Sequence, residues 1–137
     1  MIRILHTGDV HLDTPFSGLD PKLAAKRRDE LRQTFSSIVK YARDTAIDLF
    51  LIAGDLTDQR FATSETVRLV ADELATLKCP VVIAPGNHDP ADGRGIWSST
   101  DFFPNVHIFT EERVSRISLD EIGTDVYGYA FTSPEMT

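Results

Sequence analysis

Three short apolar runs in this chain end in the same way, and that repeated ending restricts what it can fold into. "RILHTGDVH" (residues 3–11), "DLFLIAGDLTD" (48–58) and "PVVIAPGNHD" (80–89) each break at a glycine and pass into carboxylates, imidazoles or an amide. Between them lie two stretches with helical period. Asp20 before Pro21 is a helix start, because the carboxylate accepts a free first-turn amide and the fixed φ of proline suits the first helical position. Leu31, Phe35, Ile38, Val39 and Ala42 then share one face. Val67, Val70, Ala71, Leu74 and Leu77 give a second stripe. The unbroken "DLFLIA" reads as a strand buried on both faces. The sum is β-α-β-α-β, an α/β chain with a parallel sheet and right-handed crossovers.

Past Asp89 the pattern changes. "PADGRG" (90–95) is a loop, and "VHIF" (106–109), "VSRISL" (114–119) and "DVYGYAF" (125–131) read as short strands. Two of these are expected to pair as a hairpin around "DEIGTD" (120–125). Residues 1–137 are expected to form one domain, a size that supports a real core. No run approaches the ~20 apolar residues of a membrane span, and the first apolar run is too short for a secretory signal. The expectation is therefore a cytoplasmic protein without a membrane association. The only cysteine, Cys79 beside Pro80, is expected to be a small packed residue.

The polar endings carry the chemistry. In open parallel sheets ligands bind outside the carboxyl ends of the strands, so the three clusters should converge. Asp9 and His11, one residue apart, would leave an extended segment on the same side and reach one ion. Glycine beside Asp55 lets the backbone approach that ion, and its two oxygens could bridge two ions about 3.5–4 Å apart. Carboxylate, imidazole and amide oxygen suit manganese, iron or zinc, and magnesium less well. A formal net charge of −7 points the same way. An acidic surface does not attract phosphates, so a phosphate-handling chain of this kind needs local cations.

Taken together and in this order, "GDVH", "GDLTD" and "GNHD" resemble the calcineurin-like metallophosphoesterase superfamily. The resemblance implies the N-terminal half of a metallophosphoesterase-type sandwich. It implies Asp9, His11 and Asp55 around a first metal, and Asp55 with Asn87 at a second. It also implies a substrate-facing His88 that stabilises the transition state or protonates the leaving oxygen, with Asp89 orienting it. The longer stretch "HTGDVHLDTPFSGL" is similar to the SbcD-type DNA-repair exonuclease branch. That branch implies metal-dependent phosphodiester hydrolysis in DNA with two divalent ions, manganese foremost, and an ATPase partner subunit. Oligomeric state is left open, a dimer included.

The chain departs from the family pattern in one respect. The family adds an isolated histidine and then Gly-His-x-His, whereas this chain has four histidines, His6, His11, His88 and His107. His107 lies in a strand candidate and is read as structural, and His6 as packed or hydrogen-bonded. Residues 1–137 are thus expected to be the N-terminal part of a catalytic domain, cut before its last histidine motifs. Weak or single metal occupancy and little activity of its own are expected to follow.

Other residues are secondary. Arg60 and Arg94 follow the loops and are possible phosphate contacts. Phe16 and Trp97 either stack on a base or pack beneath loops. "KRRDELR" (26–32) reads as a solvated helix face. The competing functions are a phosphomonoesterase, a cyclic-nucleotide phosphodiesterase and a catalytically silent partner-binding module. No Gly-x-Gly-x-x-Gly follows the first run and there is no Gly-Lys-Ser/Thr, which argues against dinucleotide binding and a P-loop.

Overall fold

The computed structural model describes residues 1–135. Strand β1 (Ile4–Thr7) is followed by helix α1 (Pro21–Asp44), β2 (Leu49–Ala53), α2 (Ser64–Ala75) and β3 (Val81–Ala84). A short helix α3 (Ile96–Ser99), β4 (Val106–Ile108), β5 (Ser115–Leu119) and β6 (Thr124–Gly128) complete the chain. The first four strands form one parallel sheet in the order β1-β2-β3-β4. The run "VHIF" thus joins that sheet as its fourth strand. The order is sequential, so the sheet has no reversal point.

Helix α1 begins where the sequence expects. Asp20 accepts from the Lys22 amide at 3.1 Å, and Pro21 takes the first helical position. Helix α2 is capped by Thr63, whose hydroxyl accepts from the Thr66 amide at 3.2 Å. The stripe residue Leu77 lies just past the end of α2 and is still buried. Phe35, Val39 and Ala42 from α1 and Val70 and Leu74 from α2 pack on Phe50, Ile52, Val81 and Ile83 in one cluster. Both helices therefore cover the same face of the sheet.

The other face is covered by the β5–β6 hairpin, which closes through a 3-10 turn at Asp120–Ile122 and a left-handed Gly123. Leu49, Val82, Phe109, Leu119 and Ala130 form the second cluster there. This hairpin does not reach the whole sheet. On β2, Leu49 is buried, Leu51 half-buried and Ala53 exposed, so the expectation of burial on both faces holds only at the start of that strand. The strand expected over "DVYGYAF" ends at Gly128. The chain then leaves the hairpin, and Phe131 donates to Pro85 O at 3.1 Å and accepts from the Ala91 amide at 2.7 Å.

Asn105, which the sequence did not single out, locks the end of α2. Its side-chain amide nitrogen lies 3.1–3.3 Å from the carbonyls of Leu74, Leu77 and Cys79. Cys79 is half-buried, and burial pushes its thiol up, which keeps it protonated and inert. Phe35, on α1, is wholly buried in the cluster between the helices and the sheet. Phe35→Ala should lower unfolding free energy by about 3–5 kcal/mol in urea titration. A loss under about 1 kcal/mol would mean that α1 does not pack as described.

Candidate metal centre

The carboxyl ends of β1, β2 and β3 bring the expected residues together. His11 Nε2 lies 3.7 Å from Asp9 Oδ1 and 3.8 Å from Asp55 Oδ2. One donor atom from each of the three lies within 4.8 Å of the others. Donors about 2.0–2.2 Å from a shared ion sit roughly 3–4.4 Å apart, so the group needs little rearrangement to hold one. Two anions and one imidazole suit a divalent cation. The Asp9 side chain is 79% exposed and that of Asp55 only 12%, so an ion would be open to solvent on the Asp9 side.

The backbone that delivers Asp9 and His11 is not extended. Asp9 (φ 53°), His11 (φ 52°) and Asp13 (φ 66°) are all left-handed, as is Asp55 (φ 52°) in the second loop. Each such residue costs about 1–3 kcal/mol, less for aspartate than for most. The compensation is continued pairing beyond the strands. Asp9 N donates to Gly54 O at 3.0 Å, His11 N to Asp55 O at 2.9 Å and Leu12 N to Leu56 O at 2.9 Å. Asp58 N returns a bond to Leu12 O at 3.0 Å. The alternation lets the β1 loop curl over the sheet edge while these amides keep their partners.

The third loop is tied to the second. Asp55 Oδ1 accepts from the His88 amide at 2.9 Å, leaving Oδ2 toward His11. A Cβ on Gly86 would stand 2.1 Å from Asp55 Oδ1, so only glycine admits that carboxylate. The His88 ring meets the His11 ring edge-on at 5.0 Å between centroids.

Asp89 is placed differently from the expectation that it orients His88. Its carboxylate is wholly buried and accepts from the backbone amides of Asp55 at 3.0 Å, Thr57 at 3.1 Å and Gly86 at 2.8 Å. The carboxylate nearest the His88 ring is Asp58, 4.0 Å from Nδ1, too far for a direct bond. Three donors in a dry pocket outcompete a half-exposed ring for Asp89. Burial is the main reason its carboxyl is pushed up to about 6. The amides of Thr57 and Gly86 oppose this, and the charge of Asp55 adds to it.

The remaining candidates divide. Asn87 and Arg60 line a cavity of about 270 Å³ with Asp58, Gln59 and His88, beside the cluster. Arg94 points into solvent near Asp92 and does not line that cavity. Trp97 is buried, donates from Nε1 to Asp89 O at 2.7 Å and stacks on Phe102, so it packs beneath the third loop. Phe16 is half-buried in a left-handed turn. His6 and His107 lie within β1 and β4, away from the cluster. The "KRRDELR" face is not all solvated, because Arg32 turns inward to Asp13, with Nη2 to Oδ1 at 2.7 Å.

The sequence profile of the calcineurin-like phosphoesterase family matches residues 2–133. The metallophosphoesterase YhaO of Bacillus subtilis is 29% identical over 142 positions, spanning 95% of this chain and 34% of its own. The DNA double-strand break repair protein Mre11 of Methanopyrus kandleri is 26% identical, spanning 82% of this chain and 25% of its own. A component of the nuclease SbcCD of Bacillus subtilis is 30% identical, spanning 78% of this chain and 27% of its own. This chain therefore spans about a third or less of the length of these relatives.

Because Asp89 holds its proton more tightly folded than unfolded, its contribution to stability is fully present below pH about 4 and is lost as pH rises through about 6. Two units correspond to about 3 kcal/mol. Urea unfolding of the metal-free chain should show wild type losing roughly that much relative to Asp89→Asn between pH 4 and 7. A difference that does not change with pH would mean that the carboxylate is not desolvated.

Proposed function

The chain belongs to the calcineurin-like phosphoesterase family, and we propose that it carries the first part of the active centre of a metal-dependent phosphodiester hydrolase acting on DNA. The observation that supports this best is the convergence of Asp9, His11 and Asp55 donors at the sheet edge, with His88 against His11. The substrate class rests on the relatives named for a nuclease and for DNA double-strand break repair.

The residues divide the work as follows. Asp9, His11 and Asp55 hold one divalent cation, and Asn87 with Asp55 contributes to a second; manganese fits this donor set, with iron, zinc or magnesium as alternatives. Bound there, such ions supply charge neutralisation for in-line attack of water on phosphorus. His88, half-exposed at the cavity mouth, faces the leaving oxygen and delivers a proton to it. Arg60, in the same cavity, holds a phosphate oxygen. Asp89 acts from beneath by fixing the Asp55, Thr57 and Gly86 amides, and so the angle at which Asp55 presents its free oxygen. The chain spans about a third or less of the relatives it matches, so further metal ligands and an ATPase partner subunit are part of what is proposed for the whole protein.

Two measurements test this reading. The 137-residue chain should bind one manganese ion weakly in calorimetric titration, and Asp55→Asn should abolish that binding. The full-length protein should degrade linear DNA in manganese, and His88→Ala should slow it about 10²–10⁴-fold while leaving metal binding intact. Turnover of phosphomonoesters or cyclic nucleotides with none of DNA would move the assignment to those substrates.

A further inference from the structure

We propose that Asp13 is a positioning residue for the candidate metal centre: its buried carboxylate, held by Arg32, Thr63 and Thr66, fixes the left-handed loop that presents Asp9 and His11. This rests on the metal-centre reading above and adds a residue, and a route of support, which that reading does not contain.

The Asp13 side chain is 2% exposed, yet it is two residues from His11 on a loop whose other acid, Asp9, stands in solvent. Its carboxylate is fully engaged. Oδ1 accepts from Arg32 Nη2 at 2.7 Å and from the Thr66 hydroxyl at 2.9 Å. Oδ2 accepts from the Thr63 amide at 2.8 Å and the Thr63 hydroxyl at 3.3 Å. The donors are themselves oriented, since Arg32 Nε donates to the Thr66 hydroxyl at 2.9 Å and Arg32 Nη1 to Asp29 at 2.7 Å. One carboxylate thereby joins three separate pieces of chain: the β1 loop, the middle of α1 and the N-terminus of α2.

Position gives that junction its consequence. On one side the loop is held by backbone pairing to the second loop, ending at Leu12, whose side chain is wholly buried. Those bonds tie the loop to the second loop only, and Asp13 ties it to α1 and to the start of α2 as well. A second tie lies just beyond, where Arg28 Nη1 donates to Pro15 O at 3.1 Å. The rings and carboxylates that face an ion are reached through left-handed residues at 9, 11 and 13. A small rotation at any of them swings His11 away from Asp55. A side chain that orients metal ligands from behind typically changes metal affinity about 10–100-fold when removed.

The test uses manganese itself as the probe, with electron paramagnetic resonance titration of the 137-residue chain. Asp13→Asn should bind manganese about tenfold more weakly than wild type, with a folded far-ultraviolet spectrum at the temperature used. Thr66→Val, which deletes one donor to Asp13, should weaken binding in the same direction to a smaller extent, and it decides the question if Asp13→Asn does not fold. Ser36→Ala provides the control for a purely structural role. It removes a different bridge between α1 and α2, the 3.0 Å bond to Glu73, and should lower the melting temperature without moving manganese affinity. Wild-type affinity in a folded Asp13→Asn or Thr66→Val would overturn the proposal, as would an equal affinity loss in Ser36→Ala. If Asp55→Asn binds manganese like wild type, the metal-centre reading fails and takes this inference with it. Affinity lost in Asp55→Asn but kept in Asp13→Asn removes the inference alone.

Discussion

Asp89 is where the strand-end loops become one object. Its carboxylate takes amides from the second loop at Asp55 and Thr57 and from the third at Gly86, and its own carbonyl takes the Trp97 indole. Parallel strands offer nothing equivalent, since their ladder stops at Ala53 and Ala84. Without a shared acceptor the two loops would have to satisfy three inward-facing amides with water. A buried, singly shared carboxylate is an unstable choice by desolvation alone, which is why its proton is held so much more tightly than that of an exposed acid. The three amides make the charged form tolerable, and geometry at Asp55 is what the fold gains.

The same logic explains which parts of the molecule are legible in the sequence. The β-α-β-α-β order and the start of α1 follow from period and capping, both local properties. The hairpin about Gly123 does too. The half-open face of β2 is not legible, because it depends on how far the β5–β6 hairpin reaches across a sheet that it does not pair with. Asp9, His11 and Asp55 are legible as a cluster because strand-end position carries over directly into proximity. An extended Asp-x-His segment is not what joins them, however: left-handed residues at 9 and 11 bring the side chains together, and no local signal marks an aspartate for φ above zero. Asp89 and Asp13 are the hardest to place. A carboxylate beside a histidine looks like its partner, and one in "HLD" looks like a loop acid. The amides of Asp55 and Thr57, 32–34 residues away, with that of Gly86 for Asp89, and contacts 19–53 residues away for Asp13, show otherwise.

Electrostatics set the terms on which such a centre can act. Asp9, Asp55, Asp58 and Asp89 crowd the carboxyl edge of a chain with formal net charge −7, so a phosphodiester approaching the bare site meets repulsion. One divalent cation cancels half of that four-carboxylate charge without altering the distant surface. Arg60, over the Phe61 ring at 5.6 Å, is a fixed cation already beside the cavity. Over a Debye length of about 8 Å at physiological salt, charges beyond the site and its rim are largely screened from it. On the function proposed above, affinity for a phosphodiester should therefore rise with metal occupancy. The loops that carry Asp9, His11 and Asp55, and the two buried carboxylates that tie those loops down, together set the geometry of the cluster.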